Sequence, residues 1–319
     1  MTVGVDVAIP FPSGRPDEKK LTRALEFLRP TDKPLRHRFS FVCPLLKQAD
    51  RWHSDPTYLC GSDEERVSEL VEMWSGSHPK IVWCGRGGYG ATRLLGRLEA
   101  ALAGIPLTYR KRFLGYSDIT GLFAFIRSKN LPIDCVHAPV VTEIPDHPQP
   151  DLIYWALGGT PCPLPVKNAG DGTAAFDGPI WGGNLAVLAS LCGTPWLPKI
   201  ENGAIFLEDI DEAPYRLDRF VTQLEDSGFF SHVEGVFLGQ FTKCGLDNAG
   251  LKAVKQRLLE LEIPFLGELP VGHEALHLPL FFDLSYKFEA GSGTLQPQGN
   301  RVDALTIRTA PEYGAIDRG

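Results

Sequence analysis

The sequence has no run of about 18 uncharged apolar residues, the length a helix needs to cross a bilayer, so no membrane span is expected. Positive charge is also in short supply: 32 Lys and Arg stand against 39 Asp and Glu, a formal charge of −7. No basic stripe with interleaved aromatics occurs, which argues against a general grip on nucleic acid. Cysteine is sparse and unpatterned. The seven residues, Cys43, Cys60, Cys84, Cys135, Cys162, Cys192 and Cys244, are odd in number and contain no C-x-x-C pair. A zinc ribbon or disulfide framework is therefore not expected, and reduced thiols in a cytoplasm fit better. The opening MTVGVDVAIPFPSGRP has no basic start and its apolar run is broken by Asp6, so it does not read as a secretory signal.

What is present describes a globular chain of two domains. It has 319 residues, 43% hydrophobic and 22% charged, which is long for a single core and comfortable for two. Strands are predicted over residues 2–9 and 37–42, and a helix over 17–28. GSDEERVSELVEMWSG is the clearest helix: Ser62 and Glu65 form a capping box, acids fill the first turn, and Val67, Leu70, Val71 and Trp74 form an apolar stripe. Residues 80–98 then read as strand, glycine loop and helix, and strand and helix alternate through Val136, as in an open parallel sheet. From Thr142 to Gly178 the pattern weakens into Pro, Gly and Asp. The expected organisation is an N-terminal open parallel-sheet α/β domain over 1–150, a linker over 151–178, and a strand-rich α/β C-terminal domain over 179–319. Strands are expected in the latter at 204–207, 233–238, 265–269, 284–288 and 304–307, with a helix opening at Pro214.

The rest of the chain is organised around RFLGYSDITGLFAFIRSK, residues 112–129. Phe113 and Leu114 suit a buried strand, Gly115 allows a tight bend, and Ile119, Leu122, Phe123 and Ile126 share one helix face. Ser117 at the bend matches a nucleophile elbow, with helix N–H groups aimed at the same spot. The competing reading is a plain helix N-cap. At the same sheet edge, GRGGYG carries G-x-G-x-x-G at Gly85, Gly87 and Gly90 after a strand. A dinucleotide site would place an acid about 20 residues further on, where this chain has TYRKRFLGYS. The glycines instead allow backbone amides near a substrate oxygen, with Gly88 an oxyanion donor, or form a simple turn.

Two further motifs carry chemistry. HEALH at His273–His277 matches H-E-x-x-H, but Pro270 and Gly272 before it and Pro279 after it leave room for barely two helical turns, too little for a zinc peptidase helix. Glu208 ends the apolar run AIFL and begins the acidic run EDIDE, from which a carboxylate can be aimed rigidly at a histidine. The remaining acids suit a loop or a divalent cation. Ser117, Glu208 and His273 thus run in the order Ser, acid, His, with amides near Gly88 and Asp118 for the oxyanion. Eight histidines and many acids leave other triads open at this level.

Six colinear blocks narrow the choice: LCGSDEERVSEL, IVWCGRGGYGATRLL, FLGYSDIT, GGNLAVLASLCGTP, IFLEDIDEAPYRLDRFVTQL and VGHEALHLPL. Together they resemble the LD-carboxypeptidases, serine peptidases of the muramoyl-tetrapeptide carboxypeptidase and microcin-immunity type. The resemblance implies that Ser117 is the nucleophile, Glu208 the acid and His273 the base, that the amides of Gly88 and Asp118 form the oxyanion hole, and that neither metal nor cofactor is used. It implies release of C-terminal D-alanine from a murein tetrapeptide, in cytoplasmic cell-wall recycling and usually by a homodimer. Such a peptide or muropeptide brings a free carboxylate, for which Arg86 is the candidate partner. The alternatives are cleavage of peptidyl-nucleotide antibiotics, a zinc peptidase, an NAD(P) enzyme, and a peptide-binding protein without turnover. AIPFPSGRP and Phe281–Phe282 depart from the family pattern, at the substrate rim and behind His273.

Overall fold

The structure is a computed structural model and describes residues 5–29, 39–44, 57–169, 175–282 and 284–298. Its strands are β1 Val5–Ala8, β2 Phe39–Val42, β3 Ile81–Trp83, β4 Lys111–Gly115, β5 Ile133–His137, β6 Leu164–Pro165, β7 Ala175–Asn184, β8 Ala204–Ile210, β9 Gly235–Thr242, β10 Phe265–Glu268, β11 Leu280–Phe281, β12 Ser285–Glu289 and β13 Thr294–Gln298. The helices are α1 Glu18–Phe27, α2 Asp63–Ser75, α3 Leu95–Leu102, α4 Thr120–Ser128, α5 Pro150–Leu157, α6 Leu185–Ser190, α7 Pro214–Asp226 and α8 Ala249–Glu260. The strand expected at 304–307 lies outside the described residues.

Two mixed sheets result, and the fold is α/β in both halves. The first runs β11-β5-β4-β3-β1-β2 and is parallel from β5 to β2. The second runs β10-β9-β8-β7-β12-β13-β6, parallel from β10 to β7 and antiparallel beyond. Strands β4 and β5 are buried throughout, as strands covered on both faces must be. The α2 helix forms as its sequence predicts: Ser62 Oγ accepts from Glu65 N–H at 3.2 Å, and Glu65 returns a bond to Ser62 N–H at 2.7 Å. Its Trp74 packs edge-on against Phe113 of β4, with ring centroids 5.6 Å apart.

The division of the chain differs from the sequence reading in two places. The stretch 151–178 is not a bare linker: Pro150 opens α5, which buries Ile153, Tyr154, Ala156 and Leu157, and β6 follows it as an edge strand on β13. A proline at the first helical position needs no amide partner, so the Pro-rich DHPQP starts a helix as well as ending a loop. Strand β11 also crosses back to the first sheet, pairing Leu280 with His137 and Phe281 with Val136. That pairing draws the segment before it, residues 272–279, across the ends of β4 and β5.

A second tie joins the halves. Thr120, which opens α4, accepts at Oγ1 a hydrogen bond from Asn184 N–H at the end of β7, 3.0 Å away. The close approach requires glycine next door: a Cβ on Gly183 (φ +144°) would lie 2.4 Å from Thr120 Oγ1. Gly183→Ala is expected to cost about 1–3 kcal/mol through this clash, read as a lower urea midpoint. An unchanged midpoint would show that the contact does not constrain the fold.

Candidate active site

Ser117 stands directly beyond β4 and Tyr116, with φ +61°. Left-handed backbone at a non-glycine residue is strained by about 1–3 kcal/mol, so neighbouring bonds must hold it. Asp118 does much of that holding. Its buried carboxylate accepts from Ser13 Oγ at 2.6 Å and from Ala91 N–H at 2.8 Å, lashing the bend to the first loop and to the end of the glycine loop. Ser117 is the first residue of a short 3-10 turn over Ser117–Ile119 whose N-cap is Tyr116, so the serine does not occupy the N-cap position. The buried Arg66 of α2 ties the same loops, donating to Pro12 O at 2.5 Å and Gly90 O at 3.0 Å while pairing with Asp63.

The glycine loop lies against the serine. A Cβ on Gly87 would fall 3.2 Å from Ser117 Cβ, and Gly88 follows at φ +108°. Arg86 donates to the carbonyl oxygen of Arg15, and its exposed side chain borders the same cavity as Ser117.

Glu208 comes from the second sheet. It does not end its strand, as the sequence suggested, but sits inside β8 at a bulge, where the pairing with β9 skips from Leu207 to Asp209. A bulge re-aims side chains, and here the two adjacent acids part company. Glu208, fully buried, accepts from His273 Nδ1 at 2.7 Å. Asp209 accepts from Asn184 Nδ2 at 2.9 Å, Ala186 N–H at 2.9 Å and Ile210 N–H at 2.8 Å, pinning the start of α6.

These surroundings set the charges. Burial opposes ionisation of Glu208, but the imidazoles of His273 and His137 outweigh it and hold the carboxyl at about 2. Asp209 has no such partner, and burial followed by the Glu208 charge pushes it up to about 7. For His273 burial favours the neutral form, yet the Glu208 carboxylate prevails and the imidazole pKa is raised. Glu143, whose carboxylate accepts from Tyr116 Oη at 2.7 Å, is raised by its burial.

Ser117, Gly88, Arg86 and His273 all border one cavity of about 380 Å³, shared with Lys20 and Glu143. A larger cavity of about 600 Å³, beside Trp181 and Phe282, borders none of these four. Of the residues singled out from the sequence, Arg86, Gly88, Ser117 and His273 border this cavity, Glu208 lies behind it through its bond to His273, and the Asp118 side chain is turned to Ser13 and Ala91. The second histidine of HEALH behaves differently: residues 272–279 form no helix, and His277 turns inward to His137, 3.0 Å between Nε2 and Nδ1. The shared helical face of a zinc peptidase is absent, and among the described residues no three His, Cys, Asp or Glu side chains are grouped to hold a metal ion. Sequence reasoning missed Tyr116, whose ring lies 4.6 Å from that of His273, together with Glu143, His137 and Lys20. Only Tyr116 carried a local signal, its place beside the serine.

A two-sheet α/β chain with a left-handed serine and a carboxylate-paired histidine on the walls of one cavity has the make-up of a hydrolase. Family models for the LD-carboxypeptidase N-terminal and C-terminal domains match residues 7–138 and 177–287. The chain belongs to the LD-carboxypeptidase family. The murein tetrapeptide carboxypeptidase of Pseudomonas aeruginosa is 32% identical over 239 residues, 68% of this chain and 75% of that relative. The microcin C7 self-immunity protein of Escherichia coli is 25% identical over 272 residues, 73% of this chain and 78% of that relative. The crystal structure of muramoyltetrapeptide carboxypeptidase from Oxalobacter formigenes superposes with a TM-score of 0.71 at 26% identity, covering 92% of this chain and 97% of that one.

The coupling between Glu208 and His273 is open to direct measurement. His273 is expected to titrate by NMR above the ordinary value of about 6.5, and Glu208→Gln, which removes the charge, should bring it back down. A wild-type value at or below the ordinary one would mean that burial, not the carboxylate, governs this imidazole.

Proposed function

We propose that this protein is a serine LD-carboxypeptidase that releases C-terminal D-alanine from murein tetrapeptides. The observation that carries the reading is the 2.7 Å bond from His273 Nδ1 to the buried Glu208, on a histidine that shares its cavity with the left-handed Ser117. With Nδ1 committed to Glu208, Nε2 is the nitrogen left to serve the serine. Ser117 Oγ attacks the carbonyl carbon before D-alanine as its proton passes to His273 Nε2. Glu208 holds the imidazolium, and the N–H groups of Gly88 and Asp118 hold the oxyanion. His273 then gives the proton to the leaving amine, D-alanine departs, and water, deprotonated by His273, attacks the acyl carbon; His273 returns that proton to Ser117 Oγ as the acyl group leaves.

Arg86 is the proposed anchor for the substrate's terminal carboxylate, with Lys20 a second cation on the same wall. We place the reaction in the cytoplasm, in recovery of wall peptides by a homodimer. The chain's relationship to a murein tetrapeptide carboxypeptidase supports this choice of substrate.

The decisive experiment is incubation of the purified protein with a murein tetrapeptide, with and without EDTA, and mass spectrometry for loss of one alanine. Cleavage is expected to survive EDTA and to fall roughly 10⁴-fold or more in Ser117→Ala. Full activity in that variant would end the serine reading, and a folded protein with no activity at all would move the search to peptidyl-nucleotide substrates.

Two kinetic outcomes belong to the same assay. The base must be neutral, and its pKa is raised by Glu208, so kcat/KM should climb with pH through a value above the ordinary histidine one and be lost below it. Arg86→Ala should raise KM by about 10-fold or more, the worth of one charge-assisted hydrogen bond. A variant that loses kcat at constant KM would remove Arg86 from substrate binding.

A further inference from the structure

Glu208 has two carboxylate oxygens, and the proposed mechanism uses one of them. Oε2 accepts from His273, while Oε1 is buried without a hydrogen-bond partner. Facing it at 3.8 Å is Nε2 of His137, equally buried and equally without a partner. A bridging water would need its two partners about 5 Å apart, so these two atoms have only each other. At that separation the contact is electrostatic rather than a formed hydrogen bond.

The protons on this cluster follow from its geometry. His137 Nδ1 lies 3.0 Å from His277 Nε2, so one of the two carries the shared proton. If it were His137 Nδ1, a neutral His137 would turn a bare nitrogen lone pair toward the carboxylate, and His277 would be left with an orphaned buried N–H at Nδ1, a loss of about 1–3 kcal/mol. If it is His277 Nε2, His137 presents Nε2–H to Glu208, and the partnerless atom is a bare His277 Nδ1, which is indeed buried without a partner. Burial holds both imidazoles below their ordinary pKa, and for His277 the neighbouring histidines add to the effect. Aromatic rings pack around both imidazoles: between ring centroids, Phe206 lies 5.2 Å from His137, and Tyr116 lies 4.8 Å from His277 and 5.8 Å from His137. His277 is further held through its carbonyl, 2.9 Å from His147 Nε2.

We infer that His137 is a positioning residue for the catalytic acid: its Nε2–H, kept on that nitrogen by the bond from His277, holds the second oxygen of Glu208 so that the first stays aimed at His273. The inference rests on the triad reading above. It assigns to the inner histidine of HEALH a role as proton donor to another imidazole, two contacts removed from Glu208.

The test combines nitrogen-15 NMR of histidine-labelled protein with kinetics of His137→Phe and His137→Gln on the murein tetrapeptide. In the wild type at neutral pH the His137 ring should be neutral with its proton on Nε2, its signal identified by loss in His137→Gln. His137→Phe, with no donor, should lose kcat by roughly 10- to 100-fold with KM nearly unchanged, while His137→Gln, which keeps an N–H, should recover most of it. A proton found on Nδ1, equal loss in the two variants, or a loss carried by KM would overturn the inference and reduce His137 to packing. Should His137→Phe not fold, the wild-type tautomer and the His137→Gln kinetics still decide. Failure of the triad reading appears separately, as activity retained in Ser117→Ala, and leaves the wild-type tautomer measurement untouched.

Discussion

The site depends on a full negative charge held inside the protein. Glu208 has no exposure to solvent and is nonetheless kept ionised by two imidazoles. Burying a carboxylate costs several kcal/mol, and removing one partner from such a pair is more damaging than never having buried it. The consequences spread outward. Glu208 must be delivered by a strand, because a loop would neither exclude water nor hold its direction. The next residue, Asp209, follows a bulge in β8 and turns away from the site to pin α6. His273 must arrive on a segment that crosses from one sheet to the other, and β11 anchors that crossing on β5.

The serine side is built on a different principle. Nothing as strong as an ion pair touches Ser117; its bend is held by polar ties among three loops. Asp118 binds Ser13 and Ala91, and Arg66 binds Pro12, Gly90 and Asp63. Both charged groups are buried and occupied, Asp118 by a hydroxyl and a backbone amide and Arg66 by two backbone carbonyls and the Asp63 carboxylate, so they act as fasteners rather than as chemistry. Thr142 adds another by donating its hydroxyl to Gly85 O at 3.0 Å. Strained backbone persists only where its surroundings over-determine it, and this set of bonds is what over-determines it here.

Much of this could be read before any coordinates. The capping box of α2, the strand and helix around Ser117 and the glycine loop all rest on residues a few positions apart, and each formed where its pattern placed it. Glu208 and His273 were legible because each adjoins a buried run or a glycine turn. Other features were not. From the sequence, Asp118 counted only for its backbone amide, because nothing nearby shows that its side chain partners Ser13 and Ala91, the former 105 residues away. Residues 151–178 looked like a linker because the prolines of DHPQP just before them can end one element as well as open another. HEALH was ambiguous because spacing alone does not reveal whether a segment is helical.

By itself the sequence determined the elements, the order of the serine, acid and histidine, and membership of the LD-carboxypeptidase family, since those depend on local patterns and on colinear motifs. Tertiary structure alone decided which nitrogen meets which oxygen. The bond between His273 and Glu208 spans 65 residues and that between His137 and His277 spans 140. Contacts at that separation are set by strand register, a one-residue bulge and a crossover strand, and a shift of one position in any of them would turn these side chains to the opposite face.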